Sequence, residues 1–427
     1  MWTIFGVCYD MEINRDIYLN KLISRMNNGM VKIITGVRRC GKSYLLFRLF
    51  KEHLIKGRVP LANIIEVTLD DIANRKLRNP EVLYDYVKMQ IKEGSIHYVF
   101  LDEIQFVDGF SDVVNGLLRI SNIDIYVTGS NSRLLSSDIL TEFRGRGDEV
   151  RVYPLCFSEY FAASGGSVKQ AWKDYYTFGG MPLVTYREGD DMKVGYLVNL
   201  FKEVYLRDIC ERNSIKHEAD LEALIDILAS SIGSLTNPSK LQRTFKSGRS
   251  SAITDKTIKT YIDYLEEAFL LESAHRYDVK GKKYIDTPLK YYFVDIGLRN
   301  ARLNFRQQEE NHIMENVIYN ELRVRGFSVD VGIVDITETG SDGKRQQKRL
   351  EVDFIARKGN AITYIQSAYA VSNDLKETQE KRSLGKIPDF FNKLIIVNDD
   401  IKMKRDKEGI VTMGLFDFLL NPESLII

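Results

Sequence analysis

An α/β fold built on a parallel sheet is predicted from three observations. A glycine-bracketed stretch, Gly36-Val37-Arg38-Arg39-Cys40-Gly41-Lys42-Ser43, lies between an apolar run (Val31 to Thr35) and a segment with helical apolar spacing (Tyr44 to Phe50). A second apolar run, His97 to Leu101, ends in two adjacent acids, Asp102 and Glu103. Strand-like and helix-like patterns then alternate as far as Tyr153, as a parallel sheet with right-handed crossovers requires.

The first stretch matches G-x-x-x-x-G-K-[ST], the phosphate-binding loop (P-loop) of nucleoside triphosphatases. Gly36 and Gly41 permit backbone conformations that a Cβ forbids, so successive N–H groups can face phosphate oxygens. The start of the following helix adds positive potential. Lys42 is placed to reach the β- and γ-phosphates and Ser43 to hold Mg²⁺, so residues 36 to 43, with Tyr44, form the candidate nucleotide site. The preference between adenine and guanine stays open at this point; no guanine-specific N-K-x-D motif is evident. Ahead of the loop, Ile13 to Asn28 reads as an amphipathic helix ended by Gly29. Arg15 or Tyr18 either flanks a bound base or simply packs.

Asn63 to Thr68 is expected as the second strand and Glu81 to Glu93 as a helix. The run ending in Asp102-Glu103 has the Walker B pattern: Asp102 as a Mg²⁺ ligand, Glu103 orienting the attacking water. Asp124 to Thr128 is the next strand. Ser130 or Asn131 beyond it is a candidate γ-phosphate sensor, a simple turn being the alternative. Before the fifth strand, Glu149 to Tyr153, Arg146 is a candidate for stabilising charge on the γ-phosphate, or else part of a solvated loop.

Residues 156–215 read as a helical lid or connector. Residues 216–302 read as a winged helix, helices followed by a basic hairpin. From Lys240 to Arg302 the chain carries 13 Lys/Arg against 8 Asp/Glu, and Lys256, Lys259, Arg276, Lys280, Lys282 and Lys283 are candidates to contact the phosphates of double-stranded DNA. Winged helices also dock proteins, which leaves a protein partner open.

Residues 303–427 read as a C-terminal α/β domain. Glu315 on a helix, Asp353 on one strand and Gln366 on the next follow the order of metal-dependent nucleases of the PD-(D/E)xK kind. Gln366 replaces an acid and Ala368 a lysine, so this is expected to be the fold without the full chemistry. Glu338 to Lys348 is expected as a loop.

The length of 427 residues implies roughly two to four domains. The net charge of +1 favours no class of partner. Four scattered cysteines, Cys8, Cys40, Cys156 and Cys210, form neither a disulfide framework nor a zinc motif. No apolar run of about 18 residues is present, and residues 1–9 lack the basic start of a signal peptide, so the cytoplasm is the expected compartment and no membrane partner is expected.

The segments GVRRCGKS, YVFLDEIQ, YVTGSNSRLL, FRGRGDEVRVYPLCFSEY, FGGMP, RDICERN, KYYFVDIGLRN and EVDFIARK together resemble the prokaryotic AAA-type ATP-binding proteins with a C-terminal domain of uncharacterised function. The resemblance spans nearly the whole chain. It implies an ATPase core (residues 1–155), a winged helix and a restriction-endonuclease-like domain, with ATP and Mg²⁺ as ligands and Lys42, Ser43, Asp102 and Glu103 in the nucleotide roles. The expected function is an ATP-hydrolysing motor or switch acting on a macromolecule, DNA foremost. A nucleotide-gated protein-interaction module and an ATP-gated nuclease are the alternatives. Homo-oligomers are compatible with such cores.

Overall fold

The computed structural model describes residues 3–4, 7–8, 12–129, 143, 145–248, 253–307, 309–339, 345–369 and 374–426. The chain divides into two compact units, residues 1–154 with 267–269, and residues 155–266 with 270–427.

After a short antiparallel pair, Thr3–Ile4 with Val7–Cys8, the first unit has a short helix, α1 (Asp16–Ile23), and the central strand β1 (Val31–Thr35). All five β1 residues are buried; Val31, Ile33, Ile34 and Thr35 are β-branched, and Lys32 is paired with Asp124. The following helix, α2, starts at Lys42–Tyr44, widens into a π turn over Leu45–Phe50 and ends at Lys51–Lys56. Then come β2 (Ile64–Thr68), α3 (Pro80–Gln90), β3 (His97–Asp102), α4 (Phe110–Leu117), β4 (Ile123–Thr128) and β5 (Gly147–Arg151). Asn79 caps α3 by accepting from the Glu81 and Val82 N–H groups, with Pro80 at the first helical position.

The sheet order is β2-β3-β4-β1-β5, every pair parallel. The P-loop strand is therefore flanked by β4 and β5, and β3 lies one strand further. On one face Phe47 and Phe50 of α2 pack edge-on or tilted against Phe100 and Tyr126, with ring centroids 4.7 to 5.8 Å apart. Val31, Ile33, Val99, Leu101 and Val127 belong to a core shared with α3 and α4.

The second unit opens with α5 (Phe157–Ser164), α6 (Val168–Phe178) and α7, which runs from Asp190–Asn199 through a π turn at Leu200–Leu206 to Arg207–Arg212. Phe157 of this stretch stacks on Phe416 at 6.1 Å. The helices expected as a lid or connector thus pack with the chain's last elements. Helices α8 (Glu218–Ser230), α9 (Pro238–Gly248) and α10 (Asp255–Glu267) follow, then the hairpin β6 (Leu271–Asp278) and β7 (Lys283–Phe293). Next are α11 (Ile296–Arg302), α12 (Glu310–Val324), β8 (Ser328–Thr339), β9 (Arg345–Lys358), β10 (Ala361–Ala368), α13 (Asp374–Gly385), β11 (Asn392–Val397), β12 (Lys404–Arg405), β13 (Ile410–Gly414) and α14 (Leu415–Leu420).

Two expectations change here. The hairpin is not a free wing: β6 pairs in parallel with β8, Arg276 opposite Val331, and one eight-stranded sheet runs β12-β13-β11-β10-β9-β8-β6-β7. The boundary placed at residue 302 falls inside a region that shares this sheet. Within the stretch expected as a loop, Glu338 to Lys348, residues 338–339 and 345–348 are strand, with Glu338 opposite Gln346 and Thr339 opposite Arg345. Its polar side chains misled because an antiparallel arm can be solvated without an apolar face. Among the described residues, no helix is long and apolar enough to cross a membrane.

Candidate nucleotide site

The P-loop is held by its neighbours before any ligand is considered. Gly36 has φ +137°, and a Cβ there would lie 2.0 Å from the Val152 carbonyl oxygen. Only glycine allows β1 to turn this close to the continuation of β5. Arg39 and Gly41 also have positive φ, 62° and 100°. The buried Cys40 donates its thiol to the Val152 oxygen at 3.4 Å. Buried Arg15 donates from Nη1 to the Cys40 oxygen at 3.1 Å and from Nη2 to the Tyr153 oxygen at 2.6 Å, and the Tyr153 N–H donates to the Tyr18 hydroxyl at 3.2 Å. Of the two roles open to Arg15 and Tyr18, the structure shows packing: both are buried against the loop's support.

Within the loop, Val37 and Cys40 are buried and Arg39 is exposed. Lys42 is 4% exposed, and its ammonium donates to the Gly36 and Val37 oxygens at 2.9 and 3.0 Å. The Ser43 hydroxyl lies 3.1 and 2.9 Å from the two Asp102 carboxylate oxygens. Thr128, at the end of β4, donates its hydroxyl to Asp102 Oδ1 and accepts the Glu103 N–H at 3.0 Å. Glu103 itself is in the left-handed region, φ 51°, and its carboxylate accepts from the Gln105 side-chain amide. Burial pushes Asp102 up to about 6; the Thr128 hydrogen bond pulls it down, the Glu103 charge pushes it up, Ser43 pulls it down and the Asp70 charge pushes it up.

Arg146 does not join this group. It is exposed, and its carbonyl accepts from Val31 N–H at the start of β1. The loop begins after the other end of β1, four strand residues away, or roughly 13 Å at the usual rise. Gly145 and Gly147 flank Arg146 at the entry to β5. The sensor candidate Ser130, with Asn131, lies outside the described residues.

In the second unit, Lys256 and Lys259 are exposed on α10, and Lys280, Lys282 and Lys283 are exposed at the hairpin tip. The Lys280 ammonium donates to the Asp335 oxygen at 2.8 Å. Arg276 is 5% exposed, so the strand pairing that buries it removes it from the set of phosphate-contact candidates. Glu315 and Asp353 do converge, but on Lys290: its ammonium lies 2.8 Å from Glu315 Oε1 and 3.7 Å from Asp353 Oδ1. Gln366 instead accepts from the Ser383 hydroxyl at 3.4 Å.

Residues 28–161 match the family described as "AAA domain", and residues 169–309 match "Domain of unknown function (DUF8612)". An uncharacterized protein of Haemophilus influenzae is 33% identical over 415 residues, covering 96% of this chain and 98% of that one. The chain belongs to this family of AAA-domain proteins. An uncharacterized protein of Methanocaldococcus jannaschii, MJ1544, is 28% identical over 407 residues, 92% of this chain and 84% of its own. Among solved structures, the Walker-type ATPase PABY2304 of Pyrococcus abyssi is 16% identical, with TM-score 0.49, covering 68% of this chain and 96% of that one.

Thr128, Gln105 and Lys290 were missed in the sequence. Thr128 had a signal: it is the last residue of the strand beside Walker B, one position before the Gly129-Ser130 turn that drew attention instead. Gln105 follows the two acids by two positions. Lys290 had none, since its partners are 25 and more residues away and meet it only through sheet order.

Proposed function

We propose that the chain is a Mg²⁺-dependent ATPase that acts as a nucleotide-driven switch or motor on a macromolecular partner, double-stranded DNA. One observation carries the ATPase reading: the Ser43 hydroxyl and the Asp102 carboxylate stand within 3.1 Å of one another beside the Lys42 loop. This is an all-oxygen donor set suited to a hard cation. The shape of the loop rests on the close approach at Gly36, where a Cβ would meet the Val152 oxygen at 2.0 Å.

Ser43 and Asp102 would hold Mg²⁺, which when bound supplies Lewis-acid polarisation of phosphoryl oxygen. Loop N–H groups from Val37 to Ser43 bind phosphate oxygens at the positive end of α2. Lys42 exchanges its two carbonyl acceptors for phosphate oxygens and neutralises their charge. Glu103 aligns and deprotonates water. Thr128 keeps the two acids in register by bonding one through its side chain and the other through its backbone. Arg146 is too far along its strand to act on the nucleotide of its own chain. The exposed lysines of α10 and the hairpin tip support DNA as the partner, as sequence-independent phosphate contacts.

ATP turnover and binding by Glu103→Gln, with and without duplex DNA, test the reading. The variant should retain ATP while turnover falls by about 10²–10⁴-fold. Wild-type turnover in that variant would sink the base assignment. DNA binding that weakens steeply with salt supports the DNA partner; no binding at low salt would transfer the role to a protein partner.

A further inference from the structure

Three carboxylates from two elements meet one lysine in the second unit. Glu315 comes from α12; Glu351 and Asp353 lie on the same face of β9. Lys290 comes from β7, the edge strand. Its ammonium is 2.8 Å from Glu315 Oε1, 2.8 Å from Glu351 Oε1 and 3.7 Å from Asp353 Oδ1, and its side chain is 3% exposed.

We infer that the Lys290 ammonium is the resident cation of this cluster, occupying the space between the carboxylates so that no divalent ion binds there. A divalent ion bound to the same oxygens would need them at about 2.0–2.6 Å. It would then lie almost on top of the ammonium, and two like charges in a buried site repel strongly. Two of the three carboxylates also accept hydrogen bonds from other groups. Glu315 Oε1 accepts from the Tyr292 hydroxyl at 2.7 Å, and Asp353 Oδ2 accepts from the Ser367 N–H at 2.8 Å.

Access is closed from the side of the edge strand. Thr236 and Leu289 exchange backbone hydrogen bonds at 2.8 and 2.9 Å, and the Gly233 N–H donates to the Tyr291 oxygen at 3.3 Å. A Cβ on Gly233 would sit 3.0 and 3.1 Å from the two Glu315 oxygens, so this backbone lies directly on the carboxylate. The loop between α8 and α9 thus straps the strand that carries Lys290 and covers Glu315. The consequence is a latch joining β7, α12 and β9 electrostatically. A Mg²⁺-dependent phosphodiesterase built on these acids is closed off by the chain's own lysine. The inference does not depend on the ATPase reading.

Mn²⁺ binding, followed by electron paramagnetic resonance in an Asp102→Asn background that lacks the nucleotide-site ligand, tests it. The background protein should take up no Mn²⁺ at sub-millimolar concentration, and adding Asp353→Asn should change nothing. Mn²⁺ bound by the background protein and released by Asp353→Asn overturns the inference, and this arm requires no lysine variant. Lys290→Met in the same background should gain one Mn²⁺ site, lose it again on Asp353→Asn, and melt at higher temperature with Mn²⁺ than without. A folded Lys290→Met protein that gains no site overturns it equally.

Discussion

The Asp295 carboxylate accepts a hydrogen bond from the Gly180 N–H at 2.7 Å, across 115 residues of chain. The other oxygen accepts from the Leu298 N–H at 2.9 Å and caps α11. A Cβ on Gly179 would fall 2.4 Å from Asp295 Oδ1, and one on Gly297 would fall 2.0 Å from the Phe178 oxygen. Asn300 donates to the Tyr176 and Thr177 oxygens at 2.9 Å each. The segments FGGMP and VDIGLRN are therefore two halves of one junction: the end of α6 docks on the start of α11, and the glycines allow backbone to touch backbone.

This junction should show an inverted pH response. Burial pushes Asp295 up to about 6, against the pull of the Gly180, Leu298 and Gly297 N–H groups. An unfolded Asp titrates near 3.9. Between these values the folded chain keeps a proton that the unfolded chain has lost, so this contribution is full below about pH 4 and is lost as pH rises through about 6. In urea melts, the stability difference between wild type and Asp295→Asn should shrink by about 2 kcal/mol from pH 4.5 to 7. A difference that is flat or grows across this range would contradict the assignment.

Thr128→Val should remove one of the two hydroxyls that bond Asp102, Ser43 being the other, together with the acceptor of the Glu103 N–H. ATP turnover should drop at least about tenfold, with stability lower by about 1–3 kcal/mol. Thr128→Ser, which keeps the hydroxyl, should restore both, as steady-state turnover and thermal melting would report.

Arg15→Met removes the buried guanidinium that holds the Cys40 and Tyr153 carbonyls. Charge-assisted hydrogen bonds of this kind contribute about 1.5–3 kcal/mol each, so calorimetry should find both a lower melting temperature and weaker ATP binding. An unchanged ATP affinity would mean that the loop keeps its shape without this support.

Gly36→Ala should abolish ATP binding, because the methyl group cannot share space with the Val152 oxygen. Far-ultraviolet circular dichroism should still show the parallel sheet, separating a spoiled loop from a failed fold.

In DNA titrations against salt, Lys282→Ala with Lys283→Ala should reduce the slope of log affinity by about 2, one for each phosphate that is no longer neutralised. Arg276→Ala should lower stability and leave that slope unchanged, since its side chain is buried in the sheet.

How far the residues alone reached depends on how local the information was. The P-loop, the Walker B acids and the strands carrying them were legible because each signal sits within about eight consecutive residues. Buried parallel strands also announce themselves by mostly apolar runs, as in Val31 to Thr35 and His97 to Asp102. Arg146 was a candidate from its place just before the fifth strand, whereas the register of β5 against β1, Gly147 opposite Val31, puts it beside the start of β1, at the end away from the loop. The hairpin after α10 misled for a related reason. Its helix-helix-helix-hairpin order is that of a winged helix, yet nothing within it reveals that β6 will pair with β8, more than fifty residues later.

By itself the sequence determined the loop and the oxygens that we propose grip a triphosphate and its cation, because backbone freedom at Gly36 and Gly41 and the oxygens of Ser43 and Asp102 are properties of short, contiguous segments. Tertiary structure alone decided that Thr128 links the two acids, that Arg15 braces the loop, that Asp295 joins two distant glycine turns, and that Lys290 enters a ring of carboxylates. Each of these depends on strand order and register, which arise from the burial of whole faces.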